Sequence, residues 1–149
     1  MDLIILIGLQ ASGKSTFTRA RFAELAYVSK DAMRNMRDKN RRQQAMIRQA
    51  LGERRSVLVD NTNPSPAVRA PLIALGREYG ARVIGYYFSA CLDDCLARNK
   101  KRGERACVPD VALYATCWQL QAPSYAEGFD ELYSVVINAE LGEFIVMEI

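Results

Sequence analysis

The chain has 149 residues, among them 20 Lys and Arg, 17 Asp and Glu, four Cys and no His. This length and composition fit one domain, which we place at residues 1–149, and exclude a disordered or fibrous chain. Without His, the chain cannot use a His-based nucleophile, a His-bound zinc ion or an imidazole base, so any general base must be a carboxylate or water.

The cysteines and the first residues bear on cellular location. The spacing of the four cysteines matches no zinc-binding pattern, and they are Cys91, Cys95, Cys107 and Cys117. The apolar run Leu3–Ile7 is too short for a signal peptide or for a membrane span of about 20 residues. We therefore expect a cytoplasmic protein with no membrane contact, whose thiols are reduced and buried.

Apolar runs and turn residues predict alternating strands and helices. We expect strands at Leu3–Ile7, Ala26–Ser29, Ser56–Asp60, Arg82–Ser89 and Leu132–Asn138, and an edge strand at Glu143–Ile149. The helices are predicted at Ser15–Leu25, Lys30–Leu51 with a bend in its polar part 38–44, Pro66–Tyr79, Cys91–Lys101 and Pro109–Leu120. This alternation predicts an open, mainly parallel α/β sheet with helices on both faces, which binds ligands at the carboxyl ends of its strands.

A phosphate-binding motif follows the first predicted strand. Residues 8–15 read GLQASGKS, which matches G-x-x-x-x-G-K-[ST] in full and leads into a helix. In such a loop the backbone N–H groups surround the phosphates, Lys14 reaches the β- and γ-phosphate oxygens as a catalytic residue, and the Ser15 hydroxyl ligates Mg²⁺. An accidental glycine-rich turn is the alternative. We assign ATP and Mg²⁺ binding to Gly8, Gln10, Ala11, Ser12, Gly13, Lys14, Ser15 and Thr16.

A candidate acceptor site follows the second predicted strand. Asp31 and Arg34 lie three residues apart, which places them on one face of a helix. Asp31 can orient an alcohol and receive its proton, and Arg34 can hold a neighbouring phosphate by two hydrogen bonds. The alternative is that Ser29 caps the helix and Asp31 only complements the helix dipole.

The third predicted strand also ends in polar residues. Asp60 follows VLV, where it can bind a water molecule on Mg²⁺ or brace the phosphate loop, and Thr62 and Asn63 follow in the turn as candidate substrate contacts. The alternative is that Asp60 and Asn61 simply begin an Asx turn.

A basic segment at the end of a helix predicts a lid over the nucleotide. Arg98 and Arg102 lie four residues apart, and Gly103 lets the chain leave the helix, so we place a lid at about residues 98–109. Its arginines can neutralise charge on the transferred phosphoryl group. The alternative is a solvated basic helix end. The aromatic residues that could stack on bases, but that we expect to serve in packing, are Tyr114, Trp118, Tyr125 and Phe129.

Positive charge is unevenly distributed along the chain. Residues 30–55 carry nine Lys and Arg against three Asp and Glu, and residues 98–105 carry five against one. Such a distribution suits a polyanionic ligand, either ATP or a nucleic acid backbone. The alternative is a solvated helix face and a mobile loop.

Taken in order, the motifs resemble the kinase domain of the 5′-hydroxyl polynucleotide kinases, from Leu3 to about Asn138. The resemblance rests on GLQASGKS, SKDAMR, VLVDNTN, REYGARVIGYYF, CLARNKKRGERACVP and APSYAEGFDELY. It implies a P-loop kinase fold with a helical lid, and ATP and Mg²⁺ as cofactors. By this resemblance Asp31 is the general base, Arg34 contacts the acceptor phosphate, Asp60 shapes the acceptor site, and Arg98 and Arg102 are lid arginines.

The resemblance implies phosphorylation of the 5′-OH of DNA or RNA in end repair. Two features differ from the family pattern: the family often has D-T-N where this chain has one more residue, DNTN, and the chain has no D-x-D-x-T phosphatase signature. Two other functions stay open. One is a small-molecule kinase of similar fold, and the other is an ATPase or nucleotide switch that transfers phosphate only to water.

Overall fold

A six-stranded sheet forms the centre of the protein. The computed structural model describes residues 1–104, 106–138 and 142–149. The strands are β1 (Asp2–Gly8), β2 (Ala26–Val28), β3 (Val57–Val59), β4 (Arg82–Phe88), β5 (Glu131–Asn138) and β6 (Glu143–Glu148), in the order β2-β3-β1-β4-β5-β6. The first five strands are parallel, and β6 pairs antiparallel with β5. The predicted α/β fold is therefore confirmed.

The helices cover both faces of this sheet. They are α1 (Lys14–Arg21), α2 (Lys39–Gly52), α3 (Pro66–Glu78), α4 (Leu92–Lys100) and α5 (Asp110–Gln119), with short 3-10 turns at Lys30–Met33 and Tyr125–Glu127. Apolar side chains of α2 and α3 pack on one face, and Phe17 of α1 packs on the other. Helices α4 and α5 form a smaller cluster around Leu9, just beyond the end of β1. Within the described residues, no helix is long and apolar enough to cross a membrane.

Two helices differ from their predicted bounds by more than one residue. Helix α1 ends at Arg21, before the predicted Leu25, because Phe22 leaves the helix to pack its ring against Phe17 and Tyr86. The helix predicted from Lys30 to Leu51 is divided into the 3-10 turn Lys30–Met33 and helix α2.

Asp38 explains the division of that predicted helix. Its backbone has φ 55°, in the left-handed region, and its carboxylate accepts a hydrogen bond from the Arg41 N–H at 3.3 Å. The chain therefore starts a new, capped helix at this point. Residues 38–44, for which a bend was predicted, form the cap and first turns of α2.

The expectation of buried thiols holds for one cysteine. Cys95 is buried beside Leu9 and Leu113, whereas Cys91, Cys107 and Cys117 are exposed. All four are free thiols. The three exposed cysteines lie at or beside α4 and α5, the elements farthest from the central core, where there is too little packing to cover them.

Candidate active site

The phosphate-binding loop joins β1 to α1 and is shaped by glycines. Gly13 has φ 97°, and a Cβ atom at this position would lie 2.9 Å from Cδ1 of Ile137. A Cβ atom at Gly8 would lie 2.9 Å from Cβ of Phe88. Side chains are thus excluded at both positions, which leaves backbone N–H groups to line the space where phosphates bind. This is a cradle of the shape that ATP phosphates require.

Lys14 is buried in this loop and folds back onto it. Its Nζ donates hydrogen bonds to the carbonyls of Gly8 at 3.0 Å and Leu9 at 2.6 Å, and to the Ser12 hydroxyl at 3.4 Å. Burial lowers the pKa of Lys14 to about 8, although the negative charges of Asp60 and Asp31 oppose this shift. The positive charge of Arg102 lowers the same pKa further.

Ser15 and Asp60 form the candidate metal site. The Ser15 hydroxyl donates to Oδ2 of Asp60 at 2.9 Å, although the two residues are 45 positions apart in the chain. Ser15 is exposed and Asp60 is buried. A hydroxyl beside a carboxylate provides the hard oxygen ligands that Mg²⁺ prefers, so these residues fit the ion. Ser15 would be a direct ligand, and Asp60 would accept from water in the coordination shell.

Tyr27 belongs to the same cluster and was not identified from the sequence. Its phenol donates to Oδ2 of Asp60 at 2.7 Å. Burial and this hydrogen bond raise the pKa of Tyr27 to about 12, so the phenol remains protonated and a donor at neutral pH. A polar-tipped aromatic residue near the carboxyl end of a predicted strand was the available signal.

Asp31 lies in the 3-10 turn that follows β2, and Arg34 is the residue at which this turn ends. The Ser29 hydroxyl caps this turn by accepting from the Asp31 N–H at 3.2 Å, as the capping interpretation requires. The Asp31 carboxylate is nevertheless exposed, and no described residue donates a hydrogen bond to it. Residues three apart in a 3-10 turn are eclipsed, so Asp31 and the exposed Arg34 lie on one side.

The turn after β3 braces the phosphate loop. The Thr62 carbonyl accepts from the Gly8 N–H at 3.0 Å, and the buried Asn63 side chain donates to the Leu6 carbonyl at 2.7 Å. The extra residue of the DNTN sequence is accommodated because Asn61 accepts from the Lys30 N–H at 2.9 Å. The Asn63 side chain is thus bonded to the backbone of β1, whereas the half-buried Thr62 stays a predicted substrate contact.

Arg69 is a second residue that the sequence did not reveal. Its guanidinium is completely buried and forms two hydrogen bonds with the Glu127 carboxylate, at 2.7 and 3.1 Å. It also donates to the carbonyls of Asn63 and Gln121. Arg69 therefore joins the turn after β3 to the segment that follows α5. This connection holds in place the turn that carries Thr62 and Asn63.

The basic end of α4 contacts the phosphate loop. Arg98 Nη1 donates to the Ala11 carbonyl at 3.4 Å, and the half-buried Arg102 acts electrostatically on Lys14. Asn99, which sequence reasoning passed over, is buried and bridges the base of the segment through both the carbonyl and the N–H of Val108. Arg105, within the predicted lid, lies outside the described residues.

Other predicted residues have more peripheral places. The Gln10 amide donates to the Thr116 hydroxyl at 3.0 Å and so fixes α5 against the phosphate loop. Thr16 is exposed on α1 and accepts from Arg19 at 3.4 Å. Among the aromatic residues considered for base stacking, Phe129 is buried, while Tyr114, Trp118 and Tyr125 are exposed.

The structure separates the basic tract of residues 30–55 into two parts. At its far end, Arg48 pairs with Glu78 at 2.9 Å and Arg55 with Glu53 at 2.8 Å. Nearer to Asp31, Arg37, Arg41 and Arg42 line one surface groove with Asp38 and Ala45, and no described acidic residue forms an ion pair with these arginines or with Arg34. Unpaired positive charge is thus concentrated at the start of α2, in the segment that follows Asp31 in the chain.

Comparisons with known proteins agree with this arrangement. The L-seryl-tRNA(Sec) kinase of Methanococcus maripaludis is 31% identical in an alignment 122 residues long, and the match covers 69% of this chain and 47% of that protein. The bifunctional polynucleotide phosphatase/kinase of Schizosaccharomyces pombe is 26% identical in an alignment 141 residues long, and the match covers 90% of this chain and 33% of that protein. The chain therefore spans less than half the length of these curated relatives. The second relative bears out the resemblance drawn from the motifs.

Solved structures and a family profile complete the comparison. The crystal structure of Chaetomium thermophilum Kti12 in complex with ADP-AlF3 has a TM-score of 0.73 at 14% identity, and the match covers 91% of this chain and 89% of that chain. This likeness shows a common fold. The profile of the AAA_33 family, described as an AAA domain, matches residues 3–121. Because those residues are most of the chain, the protein belongs to the AAA_33 family, with the fold of a P-loop kinase.

Proposed function

We propose that this chain is an ATP- and Mg²⁺-dependent kinase that phosphorylates the 5′-hydroxyl of DNA or RNA. The supporting observation is that Asp31, from the turn after β2, and Arg102, from the lid segment, both act electrostatically on Lys14 in the phosphate loop. An acceptor-side carboxylate and a lid arginine are thus both near enough to Lys14 for their charges to shift its pKa. An ATPase or nucleotide switch needs neither group from its own chain.

The reaction follows from the roles of these residues. The acceptor hydroxyl oxygen attacks the γ-phosphorus, the bond from this phosphorus to the β-phosphate oxygen breaks, the hydroxyl proton passes to Asp31, and ADP leaves. Lys14, Arg98 and Arg102 hold and neutralise the phosphate oxygens during transfer. Bound Mg²⁺ supplies further positive charge to these oxygens, and Ser15 holds it with the help of Asp60.

Support for a polynucleotide acceptor comes from the groove beside Asp31. A 5′-hydroxyl near the γ-phosphate would let the following phosphates of the strand meet Arg34, Arg37, Arg41 and Arg42, which form no ion pair with the described residues. The two curated relatives are a polynucleotide phosphatase/kinase and an L-seryl-tRNA(Sec) kinase, so the name of each refers to a nucleic acid or to a group carried on one. A small-molecule acceptor would leave this groove without a role.

The first experiment identifies the acceptor. ATP labelled in the γ-phosphate is offered with 5′-OH oligodeoxynucleotides, with 5′-OH oligoribonucleotides and, separately, with a panel of small alcohols. We expect label on an oligonucleotide. If only a small alcohol becomes labelled, the proposal is wrong and the chain is a small-molecule kinase. ATP hydrolysis that no acceptor affects would replace it by the ATPase.

The second experiment tests Asp31. Asp31→Asn is nearly isosteric and keeps the backbone N–H that Ser29 caps. We expect nucleotide affinity to survive while turnover falls by roughly 10²- to 10⁴-fold, the usual loss for a general base. Normal turnover with weakened nucleotide affinity would instead support the helix-capping interpretation.

The third experiment tests the groove by its salt dependence. Apparent affinity for a single strand falls with salt by a logarithmic slope of about 0.7 per phosphate contact. We expect Arg41→Ala to reduce this slope by about one contact. Arg48→Ala is the matched control, because Arg48 lies on the same helix but is paired with Glu78. Equal slopes for both variants, or a flat dependence in the unmodified chain, would contradict the polynucleotide proposal.

A further inference from the structure

The phenol of Tyr27 reaches the candidate metal site from an outer strand. Tyr27 lies in β2 and pairs with Leu58 of β3. The next residue of β2 pairs with Val59, which directly precedes Asp60. Its hydroxyl is 2.7 Å from Oδ2 of Asp60. The same oxygen accepts from the Ser15 hydroxyl at 2.9 Å. Two donors, from β2 and from α1, thus converge on one carboxylate oxygen.

This convergence has a direct effect on Ser15. A hydroxyl that donates its proton to a carboxylate has its lone pairs free for a cation, so the orientation of Asp60 decides where the Ser15 lone pairs point. The Asp60 carboxylate can rotate about its terminal torsion, which has only a broad preference. A second donor on the same oxygen removes that freedom.

We propose that Tyr27 is a positioning residue for Mg²⁺ and the nucleotide, which acts by holding Asp60 in the orientation that turns the Ser15 hydroxyl toward the metal. The inference rests on the proposed Mg²⁺–ATP binding at the phosphate loop but is independent of the acceptor. Tyr27 touches neither phosphate nor metal in this role.

The partial exposure of Tyr27 indicates that its hydroxyl does not need Asp60 as a partner. Tyr27 is 45% exposed, whereas Asp60 is 5% exposed. A surface tyrosine can satisfy its hydroxyl with water, and yet this hydroxyl is directed inward to a buried carboxylate. If the Tyr27 hydroxyl served stability alone, its only effect would be to join β2 to β3. The backbone already joins these strands at this point, because the Asp60 N–H donates to the Val28 carbonyl at 2.9 Å.

The test is Tyr27→Phe, which removes one oxygen atom and keeps the ring. Binding of a fluorescent ATP analogue is measured while Mg²⁺ is titrated, and again with EDTA. Loss of a residue that orients a metal ligand costs about 10- to 100-fold in metal affinity. We therefore expect the half-saturating Mg²⁺ concentration to rise about 10- to 100-fold, with affinity in EDTA unchanged within about twofold.

Tyr125→Phe is the matched control. Tyr125 is also 45% exposed and also uses its hydroxyl, which donates to the Ile149 carbonyl at 3.2 Å. We expect this variant to keep the Mg²⁺ dependence of the unmodified chain. A change of Mg²⁺ dependence below about twofold in Tyr27→Phe, or an equal change in Tyr125→Phe, would overturn the inference.

A double-mutant cycle identifies the path through Asp60. If Tyr27 acts by orienting Asp60, then Tyr27→Phe should add no further rise in half-saturating Mg²⁺ to Asp60→Asn. If the fold-changes of Tyr27→Phe and Asp60→Asn multiply in the double variant, the inference is overturned. It is also overturned if the unmodified chain binds the nucleotide independently of Mg²⁺. Mg²⁺-dependent binding without any phosphorylated oligonucleotide would refute the proposed acceptor while leaving the role of Tyr27 intact.

Discussion

Lys14 should make the stability of the nucleotide-free protein depend on pH in an unusual direction. Its ammonium group is buried with an exposed fraction of only 8%, and its pKa falls from 10.5 to about 8. Below pH 8 the charge is present in both the folded and the unfolded chain, and burial makes it unfavourable in the folded one. Between pH 8 and 10.5 the unfolded chain binds more protons, so the free energy of unfolding rises with pH.

The magnitude follows from the size of the pKa shift. One pKa unit corresponds to about 1.36 kcal/mol, so Lys14 accounts for about 3 kcal/mol over the whole range. With a folded-state pKa of about 8, roughly half of this, about 1.5 kcal/mol, is gained between pH 8 and pH 9.5. A comparison with a variant that lacks Lys14 separates its contribution from those of all other ionisable groups.

The assay is urea denaturation at several pH values with EDTA and no nucleotide, for the unmodified chain and for Lys14→Met. Methionine is unbranched and cannot be charged, and every other titrating group is common to both proteins. Relative to Lys14→Met, the unmodified chain should gain about 1.5 kcal/mol between pH 8 and pH 9.5. Parallel pH curves for the two proteins would refute the lowered pKa of the buried Lys14.

Three further predictions concern substitutions in the lid and in the support of the site. Alanine at Arg98 or Arg102 should lower kcat at least tenfold, about 1.4 kcal/mol, and kcat within about threefold of the unmodified value after both replacements would contradict the lid assignment. Arg69→Met removes a completely buried guanidinium and leaves the partly buried Glu127 carboxylate without its ion-pair partner, so it should lower the free energy of unfolding by about 3 kcal/mol, measured in urea; a loss below about 1 kcal/mol would contradict it. Gly13→Ala combines a positive φ with a close approach to Ile137, so calorimetry should show at least tenfold weaker ATP binding, and normal binding would contradict the proposed shape of the loop.

The phosphate loop could be predicted from the sequence because its information is local. Eight consecutive residues fix the glycine positions, the lysine and the candidate metal-binding hydroxyl, and the strand and helix on either side follow from short apolar patterns. The predicted sheet is also correct, since buried parallel strands require continuous apolar runs. Helix bounds failed where a single side chain decided the outcome: Phe22 left α1 to pack in the core, and Asp38 began a new helix.

The residues that the sequence did not reveal act over long distances in the chain. Tyr27 reaches Asp60 across 33 positions, and Arg69 reaches Glu127 across 58. Neither belongs to a contiguous motif. A tyrosine in a short strand and an arginine in an apolar helix have many ordinary explanations, and only the packing of β2 against β3 and of α3 against the later segment gives them their partners. Asn99 differs from these two residues because it lies inside the basic motif. The arginines beside it suggested a role in phosphate binding for the whole segment, whereas Asn99 bonds to the backbone of Val108.

Charge patterning shows most clearly what tertiary structure adds. A count along residues 30–55 treats all basic side chains alike, and therefore makes Arg48 as good a phosphate contact as Arg41. The fold brings Glu78 of α3 against Arg48 and neutralises it, whereas the groove lined by Arg37, Arg41 and Arg42 holds only Asp38 as an acidic neighbour, and that carboxylate caps α2. An acceptor strand that begins at Asp31 would therefore be held by its first few phosphates at the start of α2, and should gain little from greater length.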